Sequence, residues 1–182
     1  LSINMRIISG INKGRKIQAP KNLPVRPTTD KAKEAIFNII SNKYQLSVLS
    51  VLDLFSGTGN ISYEFSSRGS SKITCVEQNI KCINFIRSTC IKLSLNFNII
   101  KSDVYRFLNT NNLTYDIIFA DPPYNFEYHN YEKIILLIIE KKVLNKQGLI
   151  IIEHSKIISL QNIKNYSETR KYGDCCFSFF KI

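Results

Sequence analysis

An apolar run ends abruptly in Asp121-Pro122-Pro123-Tyr124, the close of the segment YDIIFADPPY that begins at Tyr115. Two successive prolines fix φ and remove both amide donors, so the backbone there is stiff and offers only carbonyl acceptors. An exocyclic amino group on a nucleobase has the opposite need, because it carries N–H donors. The Asp121 carboxylate and the Pro122 carbonyl could take its two hydrogens and aim the nitrogen at an electrophile. Tyr124 would then stack on, or cap, an extruded base. Catalysis of this kind is proximity and alignment in a single displacement, and it requires no metal. The competing reading is an Asp-Pro turn after a strand, with Tyr124 in the core. Residue types do not decide whether Asp121 itself takes the proton or water does.

A second constellation lies upstream. VLDLFSGTGN carries Asp53, Gly57 and Gly59, and the next apolar run closes on Glu77, eighteen residues after Gly59. Ligands of open α/β sheets sit beyond the carboxyl ends of the strands. Gly57 can take a positive φ there, and Gly59 leaves space at a helix start. Glu77 can accept from a ribose diol. A nicotinamide dinucleotide fits poorly, since the third glycine of Gly-x-Gly-x-x-Gly is replaced by Ser62, and Asp53 would repel a pyrophosphate. S-adenosyl-L-methionine, with its ammonium and sulfonium, suits the acids better: Asp53 and the backbone near Gly57 for the amino-acid end, Glu77 for the ribose, Asp103 for the adenine amino group. Asp53 and Asp103 could instead be capping or turn residues.

The elements that must position these groups follow from periodicity. From residue 48, apolar runs at 48–55, 72–77, 96–103, 115–120 and 149–154 alternate with helical stretches. Those helical stretches include about 127–144, with a turn at Gln147-Gly148 leading into the fifth run. Two further strands close the chain around Tyr172-Gly173-Asp174. Strands buried on both faces and separated by helices mean a mostly parallel sheet. The expected fold is α/β and Rossmann-like: seven strands, the last two forming an antiparallel hairpin. Ahead of them, residues 5–19 read as a short basic β-hairpin. Thr28, Thr29 and Asp30 are candidate caps for a helix whose Ala32, Ala35, Ile36, Ile39 and Ile40 share one face, with its lysines elsewhere. The expected domains are residues 1–26, a hairpin extension, and 27–182, the main domain.

Composition bounds the rest. Apolar residues make up 44% of the 182, enough for a core. No apolar run reaches the roughly 18 residues of a membrane span, and no signal-peptide core opens the sequence, so the cytoplasm and no membrane are expected. Cys75, Cys82, Cys90, Cys175 and Cys176 are odd in number and hold no C-x-x-C pair, which favours reduced, mostly buried thiols over zinc. The net charge is +11, and +7 of it falls within residues 1–49, a field that attracts RNA or DNA. A solubilising face is the plainer alternative.

Taken together, LDLFSGTG, VEQN and ADPPY resemble Class I S-adenosylmethionine-dependent amino-methyltransferases. MRIISG, KGRKI, RPTTDKAKEAIFNII and the closing RKYGDCCFSFF are similar to the RsmD family of small-subunit ribosomal RNA guanine-N2 methyltransferases, over about residues 5–180. The resemblance implies methylation of the guanine at position 966 of bacterial 16S rRNA, in assembled or partly assembled small subunits. It implies cofactor contacts at Asp53, Gly57, Gly59, Glu77, Asp103 and Val104, and guanine handling by Asp121, Pro122, Pro123 and Tyr124. RNA contacts would come from Arg6, Lys13, Arg15, Lys16 and Arg26. Arg15 and Arg26 stand out, Arg26 because the proline after it constrains its direction. By the same analogy Arg170 and Tyr172 lie near the reversal of strand order, without an assigned role. His129 reads as a surface histidine; Glu153-His154 either lines the substrate side or satisfies a turn. The rival functions are a DNA adenine-N6 methyltransferase, which would need a recognition domain, and a non-catalytic RNA-binding or ribosome assembly factor. A monomer is expected.

Overall fold

The computed structural model describes residues 2–23 and 28–182. The chain opens with strands β1 (Ser2–Arg6) and β2 (Lys16–Pro20), which pair antiparallel as a separate two-stranded sheet. Helix α1 (Asp30–Ser41) follows, capped by Thr29, whose hydroxyl accepts from the Ala32 N–H at 3.3 Å. Then strand and helix alternate: β3 (Ser50–Leu54), α2 (Asn60–Ser67), β4 (Lys72–Glu77), α3 (Ile80–Leu93), β5 (Asn98–Lys101), α4 (Val104–Thr110), β6 (Tyr115–Ala120), α5 (Tyr128–Glu140) and β7 (Leu144–Ser155). Strands β8 (Tyr166–Tyr172) and β9 (Cys175–Phe180) form the closing hairpin. Among the described residues no helix is long and apolar enough to cross a membrane.

The larger sheet has the order β5-β4-β3-β6-β7-β9-β8. Strands β3 to β7 are mutually parallel, and β9 is antiparallel to both β7 and β8. The direction of winding reverses between β3 and β6, which opens a crevice at their carboxyl ends. Continuous apolar runs make this arrangement stable, because each inner strand buries both faces. One face carries Leu54, Val76, Ala120 and Ile152 against α4 and α5. The other carries Val51, Cys75, Phe119 and Ile151 against α1 and α2.

The N-terminal hairpin is bound tightly to this domain. Met5, Ile17 and Ala19 pack on Tyr63 of α2 and on Cys82, Ile86 and Cys90 of α3. The Glu64 carboxylate accepts from the Ile8 and Ser9 amides at 2.9 and 3.0 Å. Gly10, with φ of +84°, lies so close to α2 that a Cβ there would fall 1.8 Å from the Ser67 carbonyl oxygen. The proposed boundary at residues 26 and 27 falls outside the described residues.

Three expectations need correction. Lys33 is not on the open face of α1: it is 1% exposed, with its ammonium 2.6 Å from the Arg6 carbonyl, 2.9 Å from Asn60 Oδ1 and 3.4 Å from Glu64. The buried Glu64, also paired with Arg68, compensates that charge. Helix α5 ends at Glu140 rather than near 144, because Lys142 turns to a φ of +53° and the Val143 N–H closes back on the Ile138 carbonyl. Strand β7 accordingly starts at Leu144 and absorbs Gln147-Gly148 as a ladder irregularity opposite Tyr115 and Ile117, instead of starting after a turn.

Candidate active site

Ladder register places the acids. Leu54 pairs with Val76 and with Ala120, and Ala120 with Ile152. One rung further toward the carboxyl ends come Glu77, Asp121 and Glu153; one rung back lies Asp53. Side chains alternate along a strand. All four carboxyls therefore lie on the α1/α2 face, around the crevice where the winding reverses.

Asp53 is 2% exposed and accepts from the Ser62 hydroxyl at 2.5 Å. Burial pushes its pKa up to about 7, with the Glu77 charge adding to the rise and the Ser62 bond opposing it. Ser62, noted in the sequence only as a missing glycine, is thus what orients Asp53. Glu77 is held at both oxygens, by the Gly57 N–H at 2.9 Å and the Asn79 N–H at 2.7 Å. Each oxygen keeps a lone pair, and the carboxylate is oriented before any ligand arrives. Gly57 has φ of +52° and Gly59 of +80°, as the loop demands. The N-cap of α2 is Gly59, which has no side chain to cap the turn; the Ser62 N–H bonds to Asp53, so only the amides ahead of it suit a ligand carboxylate.

Asp103 is exposed and caps α4, accepting from the Arg106 N–H at 3.1 Å with one oxygen. Val104 is 3% exposed, its side chain in the cluster under α4. The loop Phe55–Gly59 has no basic residue for a pyrophosphate, and acids stand at or within two residues of the carboxyl ends of β3, β4 and β5. This donor set fits S-adenosylmethionine: hydrogen-bond acceptors for its ammonium, diol and amino group, and open amides for its carboxylate.

Asp121 directly follows β6 and is half-buried, with its N–H on the Leu54 carbonyl at 3.4 Å. Burial, then Glu153, then Asp53 push its carboxyl well above the usual range. Pro122 is buried. The Pro123 carbonyl accepts from the Phe126 N–H at 2.9 Å, whereas among the described residues no backbone N–H takes the Pro122 carbonyl. Tyr124 is 77% exposed, not packed in the core. Behind the turn, Phe126 packs edge-on to Phe55 and Tyr131, at 5.6 and 5.1 Å between ring centres. Phe55 is held at φ of +59°, so this contact ties the cofactor loop to the proline turn through a strained residue.

Arg6, Lys13, Arg15 and Lys16 face outward. Arg6 and Lys16 are cross-strand partners on the hairpin's open face, and Arg6 pairs with Asp30. They line a cavity of about 590 Å³ together with Gln18, Thr28 and Asn60. Lys13 and Arg15 are exposed in the hairpin loop. Arg26 lies outside the described residues. The hairpin also touches the glycine loop, where the Thr58 hydroxyl donates to Met5 Sδ at 3.1 Å.

Other expectations divide. His129 is a surface residue beside Glu127, at 3.3 Å. His154 is buried, its ring nitrogens on the Ser155 carbonyl and the Ser178 hydroxyl, so it belongs to the sheet and not to the crevice. Glu153 lies one residue past Ile152 on β7 and accepts from the Thr28 hydroxyl at 2.9 Å. Arg170 and Tyr172 are not near the reversal: they sit on β8, the edge strand, where Arg170 pairs with Glu168 and Tyr172 packs on Phe177. Cys75, Cys82, Cys90 and Cys176 are buried free thiols, and Cys175 is partly buried.

Comparison with known proteins follows the same lines. A family model described as Conserved hypothetical protein 95 matches residues 5–181. The ribosomal RNA small subunit methyltransferase D of Buchnera aphidicola subsp. Baizongia pistaciae is 35% identical over 176 residues, 92% of this chain and 88% of that one. The protein of the same name from Buchnera aphidicola subsp. Acyrthosiphon pisum is 36% identical over 168 residues, 91% of this chain and 85% of that one. The solved structure of a candidate methyltransferase, yhhF of Escherichia coli, superposes with a TM-score of 0.82 at 26% identity, covering 98% of this chain and 97% of that one.

Proposed function

Because the chain belongs to the RsmD family of small-subunit ribosomal RNA methyltransferases, we propose that it methylates the exocyclic N2 amino group of a guanine, position 966, in the 16S rRNA of the small ribosomal subunit. One observation carries the reading: the acceptor-only turn Asp121-Pro122-Pro123 sits where the sheet reverses, one strand from the Asp53 and Gly57 loop. S-adenosylmethionine, when bound, supplies a methyl carbon activated by its sulfonium.

The chain's own residues do the rest. Asp53, Glu77, Asp103 and the α2 amides hold the cofactor, with Gly57 and Gly59 giving it room and Val104 forming the wall under the adenine. Asp121 and the Pro122 carbonyl accept the two amino hydrogens, so the nitrogen lone pair faces the crevice. Burial and the charges of Glu153 and Asp53 leave an ionised Asp121 poorly compensated, so the amino hydrogens stabilise it, and the proton that N2 loses on methylation passes to Asp121 or to water. Tyr124, exposed at the mouth, stacks on the extruded guanine. Arg6, Lys13, Arg15, Lys16 and Arg26 contact RNA phosphates. Residues 1–26 would thus be an RNA-contacting extension to a methyltransferase domain at 27–182. The enzyme would act as a cytoplasmic monomer on assembled or partly assembled subunits.

The test is mass mapping of methylated nucleotides after incubation with labelled cofactor and methyl-deficient small subunits, free rRNA or DNA. N2-methylguanine at a single 16S position, strongest in the subunits, is expected. Methyladenine in DNA, or no transfer to any substrate, would overturn the proposal.

A further inference from the structure

Asp121 has a carboxylate neighbour that the transfer step does not employ. Glu153 occupies the rung of β7 that follows Ile152, as Asp121 follows Ala120 on β6, and adjacent strands run about 4.8 Å apart. Both side chains lie on the same face of the sheet. Glu153 is half-buried, and its Oε2 accepts from the Thr28 hydroxyl at 2.9 Å, which fixes the carboxylate from the side of α1. Across the crevice, Asp53 and Glu77 occupy the cofactor half, Asp121 the middle, and Glu153 the far side.

A guanine presents two kinds of donor on its Watson–Crick edge, the N2 amino group and, next to it, N1–H. N2 lies between N1–H and N3, so with N2 held at Asp121 one of these two edges of the base faces β7. We infer that Glu153 is the specificity-determining residue of this site: its carboxylate accepts the guanine N1–H while Asp121 and the Pro122 carbonyl hold N2. Adenine carries a lone pair at N1, which would face a carboxylate with no hydrogen between them, so the arrangement rejects that base. Burial, and after it the charge of Glu153, raises the Asp121 carboxyl. A base with two adjacent donors satisfies both acids at once; a base with one does not.

The inference rests on the guanine reading above, and one substrate pair separates the two. 2-Aminopurine keeps the N2 amino group but has a bare lone pair at N1. Small subunits are reconstituted from ligated 16S rRNA with guanine or 2-aminopurine at the mapped position, and kcat/KM is compared. The native enzyme is expected to prefer guanine by at least about 100-fold, as sites built around a hydrogen bond reject analogues lacking it. In Glu153→Gln, whose amide can donate to N1, the preference should shrink to within about tenfold. Glu153→Asp, which keeps the carboxylate, should retain the preference at a lower rate, and it serves as the readout should Glu153→Gln fail to fold. An unchanged ratio in Glu153→Gln, a lost ratio in Glu153→Asp, or equal use of both bases by the native enzyme overturns the role of Glu153. Failure of the native enzyme on the guanine subunits overturns the guanine reading itself.

Discussion

At the scale of single residues, the chemistry depends on carboxyls kept in unusual states. Asp121→Ala removes an acceptor for the substrate amino group without touching the groups around Gly57. Transfer should fall by at least about 100-fold, as for loss of a group that positions the reacting atom. Cofactor affinity, measured by calorimetry, should stay within a few-fold of native. Asp53 leads to a stability prediction. Its pKa rises from 3.8 to about 7 on folding, so between those values the folded state holds more protons than the unfolded one. Its contribution is fully present below about pH 4 and is lost as pH climbs to about 7. Asn at this position can still accept from Ser62 but never ionises. The melting temperature of Asp53→Asn relative to native should therefore increase by several degrees between pH 4 and pH 8, at about 2–4 °C per kcal/mol, while cofactor binding is lost. A difference between the two proteins that does not vary with pH would show that Asp53 is not buried as a titrating acid.

At the scale of elements, the contact between hairpin and α2 decides whether the basic front end is a fixed surface or a loose arm. It is held by Glu64 beneath two backbone amides, by Lys33 and Arg68 on that same carboxylate, and by the close approach of Gly10 to Ser67. Gly10→Ala combines a left-handed backbone with a clash against a carbonyl that cannot retreat, and should free the loop. Protease cleavage near residues 8–14 should accelerate by about tenfold or more, while the parallel sheet keeps its circular dichroism. This clasp was not readable in advance, because Lys33 and Glu64 are 31 residues apart and each looks like an ordinary surface charge on its own helix. The helix-capping Thr29 was readable, since a cap acts on amides two or three residues away.

At the scale of the whole molecule, the hairpin turns Arg6 and Lys16 outward while its inner face is anchored to the glycine loop at the buried Met5–Thr58 contact. A charged face in that place predicts salt-dependent capture of a polyanion. Arg15→Ala with Lys16→Ala should weaken small-subunit binding and lower the slope of log affinity against log salt by up to about 2, since each phosphate contact contributes just under one unit. A native-like slope would make the patch a solubility device.

The amino-acid sequence by itself determined the alternation of strands and helices, the glycine loop, the proline turn, and the acids that end the strands. Each of these is written in neighbours a few residues apart, through periodicity, φ restrictions and caps. Only the tertiary structure decided that Glu153 stands on the rung beside Asp121, that Ser62 and the Gly57 amide orient Asp53 and Glu77, and that Arg170 and Tyr172 lie on an outer edge. Those relations join residues distant in the chain. They are fixed by strand order and register, which arise when apolar faces from the whole length of the chain are buried together, and no local pattern encodes that result.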